Sequence, residues 1–376
     1  MPHLPTNIEP LLQRLDALTP TLRAHADEAD RLTRMPDTVV TELRALGLFK
    51  LWVPQRYGGI ELALPDTLRI YEAAANIDGS VGWAVMIGAG GGLFAAVLDP
   101  AAAATIYASP HAVIAGSGAP SGRAEQMADG YKVSGRWRYA SGAHYATTFT
   151  ANCVVTRDGQ AVLDAQDKPL IRAMAFTPEQ VTIHTAWDTT GMRGTGSHDF
   201  SVQDVSVPQQ RSFSLFTDTT REAGPLYRLP FAVMTELPIA AVGLGIARHA
   251  LDVFATLANE KKRADGTLLL NYTITRERIA DSEKTYRTLH GDIHSLAAHA
   301  WQVAIANRAL TTDELNAITT ACVRCLVDLQ RAVFELAMLA GMSAVTQHNE
   351  FARAWRDLQT LAAHSAVSPL RMERSY

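Results

Sequence analysis

Cysteine is scarce in this sequence, and its scarcity excludes one class of protein. Three cysteines occur in 376 residues, at Cys153, Cys322 and Cys325, which is too few for a framework of disulfide bonds. On a helix, Cys322 and Cys325 would share one face, and no second Cys or His pair stands nearby. We therefore predict that they pack in a core, and the sequence predicts no metal site.

A block of basic residues is also missing. Lys and Arg number 34 against 38 Asp and Glu, which gives a formal charge of −4. This balance argues against nucleic acid or a membrane surface as a partner. What is present is 47% hydrophobic and 19% charged residues, typical of a folded globular protein. The length exceeds that of a single hydrophobic core, so we expect two or three packed units.

Long hydrophobic runs are few. The longest, Val81–Leu98, has no charged residue but is interrupted by glycines in Gly88–Gly92. A membrane-spanning helix needs about 20 consecutive apolar residues, so we predict a buried helix followed by a turn. Met1–Ile8 shows no basic-then-apolar targeting pattern, and we expect a cytoplasmic protein.

The spacing of apolar residues divides the chain into three sections. Helical spacing extends from about residue 8 to 108, and alternation typical of strands extends from about residue 113 to 213. Helical spacing then returns in four segments, Phe231–Leu257, Thr275–Asn307, Thr312–Leu339 and Phe351–Ala366. We predict domains at residues 1–112, 113–220 and 221–376, the last being a helical bundle.

The most informative segment is Trp187–Val207. It begins WDTTGMRGTGS, and three glycines within six residues predict a sharp turn or a close approach of the backbone. An alternating run that ends at Pro208 predicts a half-buried strand. An ordinary β-turn would account for the glycines alone. The whole string resembles the middle-domain signature of the acyl-CoA dehydrogenase superfamily, W-D-x-x-G-M-R-G-T/S-x-S followed by V-x-D-V-x-V-P.

Two earlier segments carry the same resemblance in the same order. Leu48–Gly59 is similar to the G-L-x-x-x-x-V-P-x-x-Y-G-G turn of that superfamily. Asp78–Trp83, DGSVGW, resembles its oxygenase branch, the two-component flavin monooxygenases called group D. Members of that branch carry a histidine about two helical turns after the tryptophan, where this chain has Gly91. We place Trp83 and Gly91 in the substrate pocket and expect no base from this helix.

The resemblance implies a fold and an assembly. The fold class is α+β, with an N-terminal helical domain, a middle β-barrel-like domain and a C-terminal four-helix bundle. The assembly implied is a homotetramer, a dimer of dimers in which the flavin site is shared between subunits.

Two segments of the middle section are expected to contact the flavin. Ala115–Gly122 is predicted to be a loop and Tyr131–Gly142 a strand. Alternation along that strand places four residues on one face, Val133, Trp137, Tyr139 and Ser141. On spacing alone, Ser141 would be a solvated serine at a strand end. The resemblance implies instead that flavin contacts come from Ser117, Gly118, Tyr139 and Ser141.

The catalytic residue distinguishes two reactions. Acyl-CoA dehydrogenases remove a substrate proton with a carboxylate eight positions beyond an Arg-Asp pair. In this chain the pair is Arg356-Asp357, and the matching position holds Ser365, which cannot act as that base. Some members carry the base on the first bundle helix, seven residues before a glycine, as Glu236 stands before Gly243. A surface or helix-start carboxylate is the favoured interpretation of Glu236.

The sequence around Arg356-Asp357 instead resembles the R-D-x-x-x-x-x-x-H signature of the oxygenase branch, with His364 as the histidine. An imidazole can donate or accept a proton near neutral pH without bringing a fixed charge into an apolar pocket. We therefore predict that His364 and Ser141 are the catalytic pair.

The resemblance implies a flavin-dependent monooxygenase that uses reduced FMN, with FAD as the alternative, and O2. Through a C4a-hydroperoxyflavin it would hydroxylate a small aromatic or heteroaromatic molecule. No G-x-G-x-x-G follows a strand, so the sequence supports no nicotinamide site. The resemblance implies that reduced flavin comes from a separate NAD(P)H-dependent reductase. Lys262 and Arg263 are expected near the flavin phosphate, and Arg356 is expected to bind the cofactor. Two alternatives stay open, a dehydrogenase with Glu236 as base and a catalytically silent homologue that serves binding or assembly.

Overall fold

The computed structural model describes residues 7–375. Its first part is helical, and a proline and an aspartate cap mark the starts of two of its helices. A helix starts at Asp37 directly after Pro36, and another starts at Gly79 because the Asp78 carboxylate accepts hydrogen bonds from the backbone N–H groups of Ser80 and Val81. The helices of this part are α1 Glu9–Ala17, α2 Thr19–Ala24, α3 Ala26–Leu32, α4 Asp37–Ala45, α5 Leu64–Ile77, α6 Gly79–Gly90 and α7 Pro100–Tyr107.

The last part of the chain is a bundle of long helices. Within the described residues these are α8 Val233–Glu260, α9 Thr273–Ile305, α10 Thr312–Ala340 and α11 Glu350–Ala362. The start of α10 is a capping box, in which Thr311 and Glu314 each bond the other's backbone N–H. All four helices lie where the apolar spacing predicts them, and the α+β fold class is confirmed.

Two helical segments are long and apolar enough to cross a membrane by length and composition. They are Gly79–Ala96, which includes α6, and Val233–Glu260, which is α8. In both, 83% of the most apolar 18-residue window is buried inside the protein. They are therefore central core helices, which confirms the buried helix predicted within Val81–Leu98.

Eight strands among the described residues form one mixed sheet between the helical parts. They are β1 Ile114–Met127, β2 Gly130–Ala140, β3 Thr148–Arg157, β4 Gln160–Ala161, β5 Ile171–Phe176, β6 Thr182–His184, β7 His198–Pro208 and β8 Ser212–Phe213. The order across the sheet is β6-β7-β2-β1-β3-β5-β8, with β4 paired to β3. Only β1 and β3 pair in parallel, and β7 is the strand predicted to follow the glycine-rich turn.

Two predictions of local conformation in the sheet are wrong. Ala115–Gly122 is part of β1, where a bulge shifts the register between Ser117 and Gly122, and is not a free loop. In β2, the register shifts again between Trp137 and Ala140, and Tyr139 has a φ of +70°. A residue in the left-handed region reverses the alternation of side chains, so Tyr139 is 62% exposed while Trp137 is fully buried.

The hydrophobic core has two main parts. One is continuous through the helices of both ends of the chain, so the first and last parts pack as one helical body. The other fills the sheet around Trp137, Phe149 and Phe200. The end of β2, the start of α6 and the end of α11 converge with the glycine-rich segment before β7 where these bodies meet.

Candidate active site

A relay of buried hydroxyl groups starts beside α6. The Trp83 indole N–H donates to Ser141 Oγ at 2.9 Å, and Ser141 Oγ shares a hydrogen bond of 2.7 Å with Ser197 Oγ. Ser197 Oγ in turn shares one of 2.7 Å with Thr195 Oγ1, which donates to the carbonyl of Met192 at 2.8 Å. Ser141 is buried, which corrects the picture of a solvated serine that spacing alone would favour.

The direction of every proton in this relay follows from counting donors. Each hydroxyl has one O–H to donate and two lone pairs with which to accept. Because Thr195 gives its hydrogen to Met192, Ser197 must donate to Thr195, and Ser141 must then donate to Ser197. Ser141 Oγ accepts from Trp83 with one lone pair, which leaves its second lone pair available to a ligand.

His364 lies on the other side of Trp83. The two rings are 5.5 Å apart at an angle of 57°. His364 follows α11 and caps a short turn, because its Nδ1 accepts a hydrogen bond of 3.2 Å from the Ala366 N–H. Burial lowers the pKa of His364 below 6.5, so the ring is neutral at pH 7. With Nδ1 acting as acceptor, the hydrogen of the neutral ring is on Nε2.

Asp357 joins the glycine-rich segment to α11. Its Oδ1 accepts a hydrogen bond of 2.5 Å from the backbone N–H of Met192. A side chain at Gly191 would meet the carbonyl of Arg356 at 2.2 Å, and one at Gly79 would meet Asp357 Oδ2 at 2.7 Å. These glycines are therefore needed for close approach, and they allow α6, α11 and the segment to meet at one point.

The electrostatics of Asp357 differ from those of an ordinary ion pair. Burial and the nearby Asp78 carboxylate raise the pKa of Asp357 well above its usual range. Arg353 opposes this effect, with its Nε 3.5 Å from Asp78 Oδ2. Asp357 is fully enclosed and holds the backbone in place, so its role is structural support of the hydroxyl relay.

The four predicted flavin contacts lie on β1 and around the end of β2. Ser117 and Gly118 are at the bulge of β1, where Gly118 is exposed and an added side chain would meet nothing within 4 Å. The exposed Tyr139 ring contacts Trp187 edge to face, with centroids 5.9 Å apart. These residues fit a flavin, which is a planar ring with polar atoms along its edge. The exposed aromatic face suits the plane of the ring. The open backbone at the strand bulge and the free lone pair of Ser141 suit the polar atoms.

The three predicted cationic ligands of the flavin, Arg356, Lys262 and Arg263, lie at two separate places in the structure. Arg356 donates to the carbonyls of Thr190 at 2.9 Å and Gln347 at 3.2 Å, so it ties the glycine-rich segment to the start of α11. Lys262 and Arg263 follow the end of α8, 19 residues beyond Gly243. Gly243 packs beside Leu361, near His364. At 1.5 Å per residue, the end of α8 at Glu260 is about 26 Å from that point, and Lys262 lies two residues beyond it.

Glu236 is buried, which corrects its interpretation as a surface carboxylate. It stands in the first turn of α8 with 2% of its surface exposed. One carboxylate oxygen forms an ion pair of 2.5 Å with Arg371, and the other accepts from the Thr319 hydroxyl at 2.7 Å. Burial raises the pKa of Glu236, against the opposing effects of Thr319 and Arg371. Both of its oxygens are engaged by protein groups.

One face of the α6 segment remains partly open. Ile87, Gly90 and Phe94 are half-buried in a segment that is otherwise buried, and they continue the line of Trp83 at helical spacing. A side chain at Gly91 would meet Ile114 Cβ at 2.7 Å, whereas one at Gly90 would meet nothing within 4 Å. The space next to this face is therefore at Gly90, and Gly91 itself is closed by β1.

Sequence reasoning overlooked Ser197, Thr195 and Asp357 as parts of the site. The first two are the hydroxyl positions of the T-x-S end of the WDTTGMRGTGS motif, and Asp357 is the acidic half of the Arg-Asp pair. The signal was thus present in the motifs. What was missing is that Ser197 bonds Ser141, 56 residues away in sequence, and that Thr195 bonds Ser197.

The three-part fold, the hydroxyl relay and the C-terminal histidine together define a flavin-dependent oxidoreductase of the acyl-CoA dehydrogenase type. Residues 16–102 match the family "Acyl-CoA dehydrogenase, N-terminal domain", and residues 237–369 match "Acyl-CoA dehydrogenase, C-terminal domain".

Similar proteins of known activity narrow this class of oxidoreductase to the monooxygenases. The chain is 30% identical to indole-3-acetate monooxygenase of Pseudomonas putida, over 94% of this chain and 89% of that protein. It is 28% identical to the HsaA oxygenase subunit, a flavin-dependent monooxygenase of Rhodococcus jostii, over 97% and 96%. The crystal structure of 3-HSA hydroxylase from Rhodococcus sp. is 25% identical, with a TM-score of 0.89 over 97% of this chain and 95% of that one.

The chain belongs to the acyl-CoA dehydrogenase superfamily, and within it to the flavin-dependent monooxygenases. It is an oxidoreductase of the two-component class and works with reduced flavin and O2.

Proposed function

We propose that this monooxygenase hydroxylates a small aromatic or heteroaromatic molecule, and that indole-3-acetate is a representative substrate. The observation that carries the proposal is the Trp83–Ser141–His364 cluster at the open, apolar face of α6. The identity to indole-3-acetate monooxygenase supports the choice of substrate. An apolar face with a few convergent polar groups is the usual form of a small-molecule site.

In this proposal the bound reduced flavin supplies the electrons that activate O2 for insertion of one oxygen atom. Ser141 accepts a hydrogen bond from the cofactor through its free lone pair, and the relay behind it keeps its own proton pointing away. His364 holds a proton at Nε2, where it can be given up or exchanged as the substrate is oxygenated. The Trp83 ring lies between Ser141 and His364 and keeps water from the reacting atoms.

The dehydrogenase alternative requires a free carboxylate. Glu236 is bound on both oxygens, by Arg371 and Thr319, and Ser365 occupies the other position for a base. Removing a substrate proton with Glu236 would break a buried ion pair, which is costly. A catalytically silent homologue would have no need of an ordered hydroxyl relay that leaves one lone pair of Ser141 free for a ligand. Both observations favour the monooxygenase reaction.

We infer that reduced FMN is the cofactor, with FAD as the alternative, and that a separate NAD(P)H-dependent reductase in the cytoplasm supplies it. The absence of a dinucleotide-binding motif from the sequence supports an external supply of reducing equivalents. The oxygenase-subunit name of the HsaA relative points to the same arrangement.

We propose a homotetramer in which each flavin site is shared. The end of α10 and the turn after it expose a row of apolar side chains, Phe334, Met338, Met342 and Val345; we call this row the α10 patch. Lys261 ties the end of α8 to the same turn, since its Nζ donates to the Ala340 carbonyl and Ser343 Oγ. Lys262 and Arg263 therefore lie beside the α10 patch. An exposed patch of this kind is typical of an interface, through which these cations would reach the flavin phosphate of a neighbouring subunit.

The test is turnover with chemically reduced FMN and indole-3-acetate in oxygenated buffer, with the hydroxylated product and hydrogen peroxide both quantified. We expect His364→Ala to lower product formation by about 10²-fold or more and to divert oxygen to peroxide. Ser141→Ala should weaken binding of reduced flavin by roughly tenfold, the effect of one lost hydrogen bond.

His348→Ala, at an exposed histidine outside the cluster, is the matched control and should behave as the wild type. Should an acyl-CoA reduce bound flavin in a reaction that Glu236→Gln abolishes, the dehydrogenase alternative would be correct. A wild-type protein that binds no flavin of either kind would establish the silent homologue.

A further inference from the structure

Two histidines and a glutamate converge between α5 and α9, outside the flavin site. His290 and His294 are one helical turn apart on α9, and their rings are tilted by 39° with centroids 4.3 Å apart. Both Nε2 atoms face Oε2 of Glu72, a residue of α5. The distance to this oxygen is 2.9 Å from His294 and 3.4 Å from His290. We propose that Glu72, His290 and His294 form a binding site for a divalent transition-metal ion, with Zn²⁺ as the best match.

The donor set and its dimensions fit zinc. Two imidazole nitrogens and one carboxylate oxygen are ligands that Zn²⁺ takes at about 2.0–2.2 Å, with water in a fourth position. Tetrahedral ligands at that distance are roughly 3.3 Å from one another, and the three donor atoms here lie within 4.8 Å of one another. Small side-chain rotations would therefore bring all three to an ion without moving either helix.

The carboxylate is prepared for this role. The Tyr286 hydroxyl donates to Glu72 Oε1 at 2.5 Å, which fixes the carboxylate so that Oε2 faces the histidines. Partners that orient ligands in this way are regular features of metal sites.

The surroundings allow an ion to enter. The His290 side chain is 43% exposed and provides a path from solvent, whereas His294 and Glu72 are more enclosed. A basic side chain close by, Arg248, lies over the Tyr286 ring and is paired with Glu283 and Asp252. Its charge is therefore largely neutralised. An ion bound here would join α5 of the first helical part to α9 of the bundle.

The test uses tag-free protein stripped with a chelator, dialysed, and titrated with Zn²⁺ against a chromophoric competitor. We expect one Zn²⁺ per chain and a higher melting temperature with the ion bound. Glu72→Gln and His294→Ala should each weaken binding by more than 100-fold. Tyr286→Phe, which keeps all three ligands, should weaken it by about tenfold.

His299→Ala is the matched control, because His299 is on the same helix but pairs with Glu314; it should bind as the wild type does. Co²⁺ provides a second measurement, since its visible absorption should report a four- or five-coordinate N/O site that is lost in His290→Ala. Absence of saturable Zn²⁺ binding in the wild type would overturn the proposal. So would undiminished binding in folded Glu72→Gln and His290→Ala.

Discussion

His364 is the residue whose protonation we expect to set the acid side of the pH dependence. Its pKa is lowered from 6.5 by burial, and its Nδ1 accepts from Ala366 only while the ring is neutral. As pH falls through that lowered pKa, Nδ1 gains a proton, the hydrogen bond breaks, and a charge enters the apolar pocket. We expect kcat/KM, measured between about pH 5 and 8, to be constant near neutral pH and to decline as the pH falls through the lowered pKa of His364.

The matched variant for this prediction is His364→Asn, which keeps a polar group at the position but cannot titrate. Its rate should be lower at every pH, and the acid limb should disappear. An acid limb that persists unchanged in His364→Asn would show that another group controls it.

At the same scale, Glu236 shows what a sequence cannot reveal about one residue. Its position in the first turn of α8 was predictable from Pro238 and the helical spacing. Its burial was not, because that depends on Arg371, which is 135 residues away in sequence. Pairings over such distances are properties of the folded chain and leave no local pattern.

At the scale of the element, α6 offers two glycines with opposite surroundings. A side chain at Gly88 would meet Phe49 Cδ1 at 2.3 Å, in a ring that is itself buried, whereas Gly90 has open space. We expect Gly88→Ala to lower the free energy of unfolding by about 1–3 kcal/mol through overpacking. Gly90→Ala should leave it unchanged or raise it by up to about 1 kcal/mol.

Denaturant titration of both variants checks this difference, with the slope of the transition as a control for changes in the unfolded state. Equal stability of Gly88→Ala and Gly90→Ala would contradict the packing of α6 against Phe49.

The elements also show how much of the structure motifs and periodicity can predict. Helix positions followed from apolar spacing, and the motifs identified Trp83, Ser141 and His364, which the fold brings together. Periodicity failed at Tyr139 and at Ala115–Gly122, where bulges interrupt the alternation. A bulge depends on the register with the neighbouring strand, and β2 pairs with β7, some 60 residues further along the chain. That information is absent from either strand alone.

At the scale of the whole molecule, the α10 patch is expected to hold subunits together. Met338 and Met342 are 68% and 74% exposed, which is unusual for large apolar side chains. We expect the double variant Met338→Glu, Met342→Glu to have a smaller mass in solution than the tetramer proposed for the wild type, because two buried charges would oppose the interface. Sedimentation velocity measures this directly.

The control is Met127→Glu on β1, where a methionine is 57% exposed but lies outside the α10 patch; it should sediment as the wild type does. A tetramer that survives both substitutions at Met338 and Met342 would exclude the patch as the contact. If the double variant loses affinity for flavin as well as mass, the result would support a flavin site that is shared between subunits.

The hydrogen bond between Met192 and Asp357 has a consequence for biosynthesis. The two residues are 165 positions apart, and at 5–20 residues per second a ribosome needs roughly 8–33 s to make the intervening chain. Once β8 has been made, every strand of the sheet is present, but the glycine-rich segment has no α11 to hold it. The proposed active-site pocket is therefore completed by one of the last helices to be translated, so we expect a nascent chain to carry no working oxygenase site.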